Sequence, residues 1–215
     1  MPSARSDDPQ TAIRSFRIDS DDEPTSHFYE VADVARPAGA ATQWLSFRFR
    51  SEGLSRHSPG SHFAVILQAR LVRDAHGRPS ALSGRGIALG NTIEAFASES
   101  NTHALGHPGF GGARGMVLES FWPGGNFLYR DAVTLDAPLE DGRDYFVHIH
   151  ARIDRWFSAW LDEDDKTATS RIACVRDSDA HPVIEASGIL IVLARGGGET
   201  GAWSVSFDEI GYGWF

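Results

Sequence analysis

Apolar residues recur at every second position along most of this chain, and that period limits the secondary structure it can form. Between Trp44 and Arg50 the apolar Leu45, Phe47 and Phe49 alternate with polar residues. Because successive side chains of a strand point to opposite faces, this pattern predicts a strand with one buried face. No segment shows a convincing 3.6-residue period, so a helical fold is not expected.

About a dozen such segments follow one another, separated by turns rich in Gly, Pro and Asp. The apolar run from His62 to Leu71 predicts a strand covered on both faces, and Tyr145–Ile153 followed by Trp156–Leu161 predicts a hairpin. The chain has 215 residues, of which 41% are hydrophobic, enough for one buried core. We expect an all-β domain over residues 16–215, a two-sheet antiparallel jelly-roll sandwich, preceded by a flexible N-terminal arm at residues 1–15.

Charge and hydropathy exclude two classes of partner. The net charge of −9 disfavours nucleic acid, and no stretch approaches the roughly 20 apolar residues that cross a bilayer.

The N-terminal residues lack the apolar segment of a secretory signal. We therefore expect a secreted mature form, a virion protein or a cytoplasmic protein. The single cysteine excludes an intramolecular disulfide and a cysteine-based zinc site.

Two regions carry a resemblance to a known family. Gly188-Ile189-Leu190-Ile191-Val192, a Gly-rich loop, and then Trp203-Ser204-Val205-Ser206-Phe207-Asp208-Glu209-Ile210 resemble the closing strands of the concanavalin A-like lectin/glucanase superfamily. Pro138 to Val147 is similar to the segment that leads into that family's central hairpin. The resemblance covers residues 40–215 and implies a jelly roll that engages carbohydrate.

The strand Phe63-Ala64-Val65-Ile66-Leu67-Gln68 looks nearest to the polysaccharide-lyase branch of that family, which carries a Gln on its catalytic face. The chain departs from the catalytic patterns of both enzyme branches. Arg70 stands where the lyases commonly have a His, and the Glu-x-Asp-x-x-Glu strand of the glucanases is missing. These departures favour binding over catalysis.

The candidate site centres on His148-Ile149-His150. Residues two apart on a strand share a face, so both imidazoles are expected to point the same way, with Phe146 and Arg152 continuing the row. Such a face suits the floor of a glycan groove on the concave sheet. Two other interpretations remain: a solvated polar face opposite the core, and a pair of metal ligands, for which the sequence offers no third ligand at diagnostic spacing.

If the protein is an enzyme, the resemblance to the lyases implies a larger constellation. Arg48 and Gln68 would then neutralise a substrate carboxylate, His148 or His150 would act as base, and Tyr145 or Tyr129 would be the acid/base candidate. The structural interpretation is that these arginines simply face solvent on a sheet.

Further glycan contacts are predicted from side-chain chemistry. Arginine binds carboxylates with two parallel hydrogen bonds, which suits Arg50, Arg70 and Arg152, and aromatic rings stack on the apolar faces of sugars. Trp156 and Trp160 share a strand face, with Trp44 and Trp122 as further platforms. Against this, a sandwich of this size needs large side chains in its core.

Calcium is the cofactor that the resemblance implies. Asp208 lies in the closing strand where relatives hold a structural Ca²⁺, and Asp21, with Asp19, Asp22 and Glu23 beside it, would supply carboxylate oxygens. The alternative is that residues 20–24 form a solvated loop. No other cofactor is expected.

Three hypotheses of function follow. The first is a carbohydrate-binding jelly roll with its ligand on the concave sheet. The second is a divergent polysaccharide lyase or glycoside hydrolase acting on an acidic glycan. The third is a virion or appendage protein that uses the jelly roll as a building block and forms a homo-oligomer through the N-terminal arm.

Overall fold

The computed structural model describes the strands and several of their connections. The described residues are 14–18, 26–54, 62–90, 115–121, 127–134, 139–154, 157–162, 171–177, 185–194 and 202–215. Every extended regular element among them is a β-strand, as the period of two predicts. The strands are β1 (Arg14–Ile18), β2 (Ser26–Asp33), β3 (Thr42–Glu52), β4 (His62–Arg73), β5 (Pro79–Gly90), β6 (Gly115–Phe121), β7 (Phe127–Thr134), β8 (Tyr145–Arg152), β9 (Phe157–Asp162), β10 (Arg171–Asp177), β11 (Gly188–Ala194) and β12 (Trp203–Trp214).

The strands form two six-stranded antiparallel sheets. Sheet A has the order β1-β12-β3-β8-β9-β10, and sheet B has the order β2-β11-β4-β5-β6-β7. The chain passes between the sheets at β1/β2, β2/β3, β3/β4, β7/β8, β10/β11 and β11/β12, so each sheet combines strands from distant parts of the sequence. This is the predicted jelly-roll sandwich.

The core lies between the two sheets and is built from the inward rows of side chains. On β8, Tyr145, Val147, Ile149 and Ala151 are buried, while the alternate residues are partly exposed. Phenylalanines join the sheets, with the rings of Phe49 and Phe63 4.9 Å apart in an edge-to-face arrangement. The predicted hairpin is present as β8 and β9, with Ala151 opposite Phe157.

Strand β4 is buried on both faces from Phe63 to Ala69, as its unbroken apolar run predicts. Its outer row joins a second apolar cluster, in which Ala64 and Ile66 pack with Leu190 of β11. Among the described residues, no helix has the length and apolar character needed to cross a membrane.

Candidate functional site

The outer face of sheet A carries the two histidines. On β8 the side chains of Phe146, His148, His150 and Arg152 point away from the core, opposite the buried row that begins with Tyr145. Both imidazoles therefore lie on one face, as the sequence predicts. We call this surface, with its neighbours on β3, β9 and β12, the histidine face.

Tryptophans flank the histidines on both sides. Across the sheet, His150 is opposite Trp44 of β3, and His148 is opposite Trp160 of β9. Neighbouring strands are about 4.8 Å apart, so the two tryptophans are separated by roughly 10 Å across the strands. The result is a broad surface of aromatic and imidazole rings.

The side chain of Trp44 lies against Gly211 and Gly213 of β12, which carry no side chains. A Cβ atom added to Gly213 would stand 2.9 Å from Nε1 of Trp44, and one added to Gly211 would stand 3.2 Å from its six-membered ring. The indole therefore covers bare backbone. These glycines were not among the predicted site residues, although two glycines at alternate positions of a strand are a readable signal of close approach.

His150 is packed among rings. Its imidazole meets Trp160 with ring centroids 5.2 Å apart and Phe215 with centroids 5.6 Å apart, both edge-to-face. Burial lowers the pKa of His150, because it removes water from the charged form, and the nearby His148 lowers it further. His150 is thus held in its neutral form at physiological pH, with one ring nitrogen that donates and one that accepts.

Arg48 and Arg50 lie at one end of this face, and Arg152 lies at the other. Arg48 donates from Nε to Oδ1 of Asp208 at 2.5 Å and from Nη2 to Oδ2. Arg50 forms the same two-bond pairing with Asp144, at 2.8 and 2.9 Å. The hydrogen bonds to Asp208 are the main cause of the raised pKa of Arg48, and those to Asp144 raise the pKa of Arg50.

Arg152 is also engaged, since its Nε donates to Oδ1 of Asp154 at 2.8 Å. The three arginines expected to grip a substrate carboxylate on this face, Arg48, Arg50 and Arg152, are therefore each paired with an aspartate of the protein. The face offers rings and hydrogen-bonding groups more than it offers net positive charge.

Gln68 does not reach the histidine face, and the expectation that it joins that polar floor is wrong. It lies in sheet B, its side chain is fully buried, and its φ is 52°. The cause is a bulge, since the register between β4 and β5 shifts between Leu67 and Arg70. A bulge changes which face a side chain meets, and this one turns Gln68 inward.

Inside the sandwich, Gln68 belongs to a polar network that joins the two sheets. Its Nε2 donates to the carbonyl of Ala151 at 2.8 Å, and its backbone N–H donates to Oε1 of Gln43 at 2.7 Å. Arg85, which is 1% exposed, donates to Oε1 of Gln68 at 3.2 Å and also to the carbonyl of Arg152. Gln43 donates in turn to the carbonyl of Ser187 at 2.8 Å.

Tyr145 is likewise an interior residue. It is 2% exposed, its ring stacks on Phe49 with centroids 5.4 Å apart, and its hydroxyl accepts a hydrogen bond from the N–H of Glu140. Tyr145 therefore cannot contact a ligand on the histidine face, as its predicted acid/base role would require. With Gln68 also absent from that face, the expected lyase constellation is not assembled there.

Arg70 is exposed on β4 of sheet B, away from the histidines. Trp156, Trp122 and the side chain of Tyr129 lie outside the described residues, and their roles stay predictions.

Of the residues predicted to hold calcium, the structure describes Asp208 alone. Both of its carboxylate oxygens accept hydrogen bonds from Arg48. Among the described residues no group of three or more His, Cys, Asp or Glu side chains is arranged to hold a metal. Asp21, with Asp19, Asp22 and Glu23, lies outside them.

Comparison with known proteins defines the fold. No family model matches the chain, and no curated protein matches it. Among solved structures, the Lotus tetragonolobus seed lectin is 10% identical, with a TM-score of 0.57 and coverage of 97% of this chain and 95% of the lectin. The VIP36 exoplasmic/lumenal domain, solved with Ca²⁺ and Man3GlcNAc, is 13% identical, with a TM-score of 0.53 and coverage of 92% and 83%.

A legume lectin-like domain from Entamoeba histolytica is 12% identical, with a TM-score of 0.51 and coverage of 96% of this chain and 88% of that domain. These matches confirm the concanavalin A-like jelly roll predicted from the closing strands. They do not point to the polysaccharide-lyase branch. At such identities they establish the fold alone, and the site must be argued from its own residues.

Proposed function

We propose that this protein binds a neutral glycan on the histidine face of sheet A. Trp44 and Trp160 would stack on the apolar faces of sugar rings, and His148 and His150 would exchange hydrogen bonds with hydroxyl groups between them. The observation that carries the proposal is the cross-strand register, which places an outward imidazole next to each outward indole.

The neutral character of the ligand follows from the ion pairs. Arg48, Arg50 and Arg152 each already bind a carboxylate of the protein, so an acidic sugar would have to displace an aspartate to use them. His150 adds no charge at neutral pH, because burial lowers its pKa. A neutral sugar needs only ring faces and hydrogen-bonding partners, and the face supplies both.

The fold supports this proposal at a coarser level. The seed lectin and the VIP36 domain share the jelly roll, and the latter was solved with a mannose-containing oligosaccharide. Those facts belong to the neighbours. They make carbohydrate the class of ligand to test first.

Affinity electrophoresis in gels that contain neutral polysaccharides, such as mannan or β-glucan, tests the proposal. We expect retardation of the wild type by at least one neutral polymer. Trp44→Ala and Trp160→Ala should each weaken binding about fivefold, because loss of one stacked ring costs on the order of 1 kcal/mol. Val72→Ala is the matched control, since Val72 is 43% exposed on β4 of the other sheet.

Two outcomes would contradict the proposal. The first is retardation only by acidic polymers such as alginate. The second is equal affinity in Trp44→Ala, Trp160→Ala and the wild type.

A further inference from the structure

A cavity lies on sheet B, where β2, β11 and β4 run side by side. The cavity has a volume of about 450 Å³ and is lined by residues that include Glu30, Asp33, Arg70, Leu71, Ser187 and Gly188. This volume falls within the range of small-molecule sites. We call it the β11 cavity.

Irregular strand pairing coincides with this cavity. The register of β11 shifts against β2 between Ile189 and Leu190, and against β4 between Gly188 and Ile189. The register of β4 against β5 shifts nearby, between Leu67 and Arg70. Bulges bend strands and re-aim side chains, and they are over-represented beside functional sites.

Arg70 supplies the unused charge of this cavity. Its guanidinium is exposed and forms no ion pair or hydrogen bond within the described part of the chain. The acidic groups beside it are engaged. Glu30 pairs with Arg73 at 3.2 Å, and Asp33 accepts a hydrogen bond from the hydroxyl of Ser187. Arg70 is therefore available to an anion from solution, in contrast to the paired arginines of the histidine face.

The remaining polar groups favour a ligand that also carries hydroxyls. The carboxylates of Asp33 and Glu30 have further lone pairs to accept hydrogen bonds from such groups, and the partly exposed Leu71 offers apolar contact. A compact carboxylate such as acetate would meet only Arg70. A sugar acid would meet all of these groups.

The buried network holds this site in place. Gln43 donates to the carbonyl of Ser187, and the inward-turned Gln68 fixes the bulge that precedes Arg70. Gln68 has a positive φ, a conformation that persists only where the surroundings hold it and that clusters at ligand sites. Gly188 allows the close approach of the strands, since a Cβ there would stand 2.4 Å from the carbonyl oxygen of Ala69.

We infer that the β11 cavity binds a uronic acid residue, with the carboxylate on Arg70 and hydroxyls on Asp33, Ser187 and Glu30. This site is separate from the histidine face and takes a different class of sugar.

Isothermal titration calorimetry of the full chain with sodium glucuronate tests this inference, with glucose and acetate as comparison ligands. We expect glucuronate to bind at least tenfold more tightly than either. Arg70→Gln should weaken glucuronate binding at least tenfold, because the charge-assisted bonds are lost. Arg78→Gln, an equal change of charge in the exposed turn after β4, should leave it unchanged. Both replacements lie on the surface, and unchanged melting temperatures would confirm that the variants fold.

Several results would overturn the inference: no binding of glucuronate, equal binding of acetate, or equal losses in Arg70→Gln and Arg78→Gln. Trp160→Ala separates the two sites, because it should reduce binding of neutral polysaccharide without changing the affinity for glucuronate. If Trp160→Ala instead abolishes glucuronate binding, the uronate lies on the histidine face and the β11 cavity is not its site.

Discussion

Arg48 and Asp208 meet side-on across neighbouring strands, with Nε of the arginine 2.5 Å from Oδ1 of the aspartate and Nη2 on Oδ2. The two residues are direct partners in the β3–β12 register. Glu209 lies 3.3 Å from the same guanidinium and Asp144 lies 4.0 Å from it. Asp208, which is predicted from the sequence to bind calcium, is thus the main partner of Arg48, which is predicted to bind a substrate carboxylate.

The first prediction concerns this pair. Asp208→Asn removes a two-bond ion pair that is partly exposed, and we expect a loss of about 1 kcal/mol in the free energy of unfolding, reduced at high salt. Urea denaturation at low and high ionic strength measures it. Asp144→Asn, which breaks the more exposed pair with Arg50, is the control and should cost less.

The contribution of Arg48 to the stability of the folded protein depends on pH only in strong alkali. The hydrogen bonds to Asp208 raise the pKa of Arg48 above the already strongly basic value of a free arginine, so its contribution is complete at neutral pH and is lost only in strong alkali. Arg48 therefore adds no pH dependence between pH 5 and 9. A larger loss of stability in Asp208→Asn at 1 M salt than at low salt would contradict the ion-pair explanation.

The second prediction uses the bare backbone under Trp44. In Gly213→Ala the new Cβ would stand 2.9 Å from Nε1 of the indole, so the ring must move outward. We expect neutral-polysaccharide binding to fall roughly fivefold to tenfold while the melting temperature changes by only a few degrees, because a surface side chain is displaced and not the core. Affinity electrophoresis and thermal unfolding measure the two effects.

Ser204→Ala is the control for Gly213→Ala. Ser204 is an outward position on the same strand, opposite Glu52 and away from the indole. If Gly213→Ala binds polysaccharide as the wild type does, the position of Trp44 is not what the face requires.

The alternation of side chains could be predicted wherever it was regular. On β3 and β8 the period of two gave the correct inward and outward rows, and hence the shared face of His148 and His150. The cross-strand register could not be predicted, because it is fixed by the packing of strands distant in sequence. The juxtaposition of Trp44 with His150 and of Arg48 with Asp208 therefore emerged only in the fold.

Gln68 shows where the sequence pattern is uninformative. It ends a run of apolar residues that are buried on both faces, so no alternation marks which way its side chain turns. The bulge then changes the parity of the strand between Leu67 and Arg70. The β11 cavity was missed for a related reason, because residues 30–33, 69–71 and 186–190 meet only through sheet pairing.

The third prediction concerns the loss of folding stability at acid pH that results from the burial of His150. An unfolded chain protonates His150 with a pKa near 6.5, whereas burial lowers the pKa in the folded state. Below about pH 6.5 the unfolded chain therefore binds more protons at His150 than the folded protein does. The free energy of unfolding then decreases as the pH is lowered, until the pH is below the pKa of the folded state. We expect His150→Gln to lose less stability than the wild type between pH 7.5 and pH 5, as measured by thermal unfolding at both values.

Two controls define the source of that effect. His76→Gln changes an exposed residue in the turn after β4 and should leave the acid sensitivity unchanged. His148→Gln removes the neighbouring charge that helps to lower the pKa of His150, and it should reduce the acid sensitivity in part. An acid-induced loss that is identical in His150→Gln and the wild type would show that His150 does not titrate as its burial requires.

The last prediction separates backbone strain from hydrogen bonding at Gln68. Gln68→Ala takes a hydrogen-bond donor from the carbonyl of Ala151 and an acceptor from Arg85 in the interior, and we expect a cost of about 2–4 kcal/mol. Gln68→Gly loses the same bonds but relieves the positive φ, which costs a non-glycine residue roughly 1–2 kcal/mol. The Gly variant should therefore be about 1 kcal/mol more stable than the Ala variant in urea denaturation.

Ordinary strand positions show the reverse order, in which Ala is more stable than Gly. Ser204→Gly and Ser204→Ala should show that reverse order in the same protein. If Gln68→Ala proves more stable than Gln68→Gly, the left-handed bulge is absent, and with it the inward turn that keeps Gln68 from the surface.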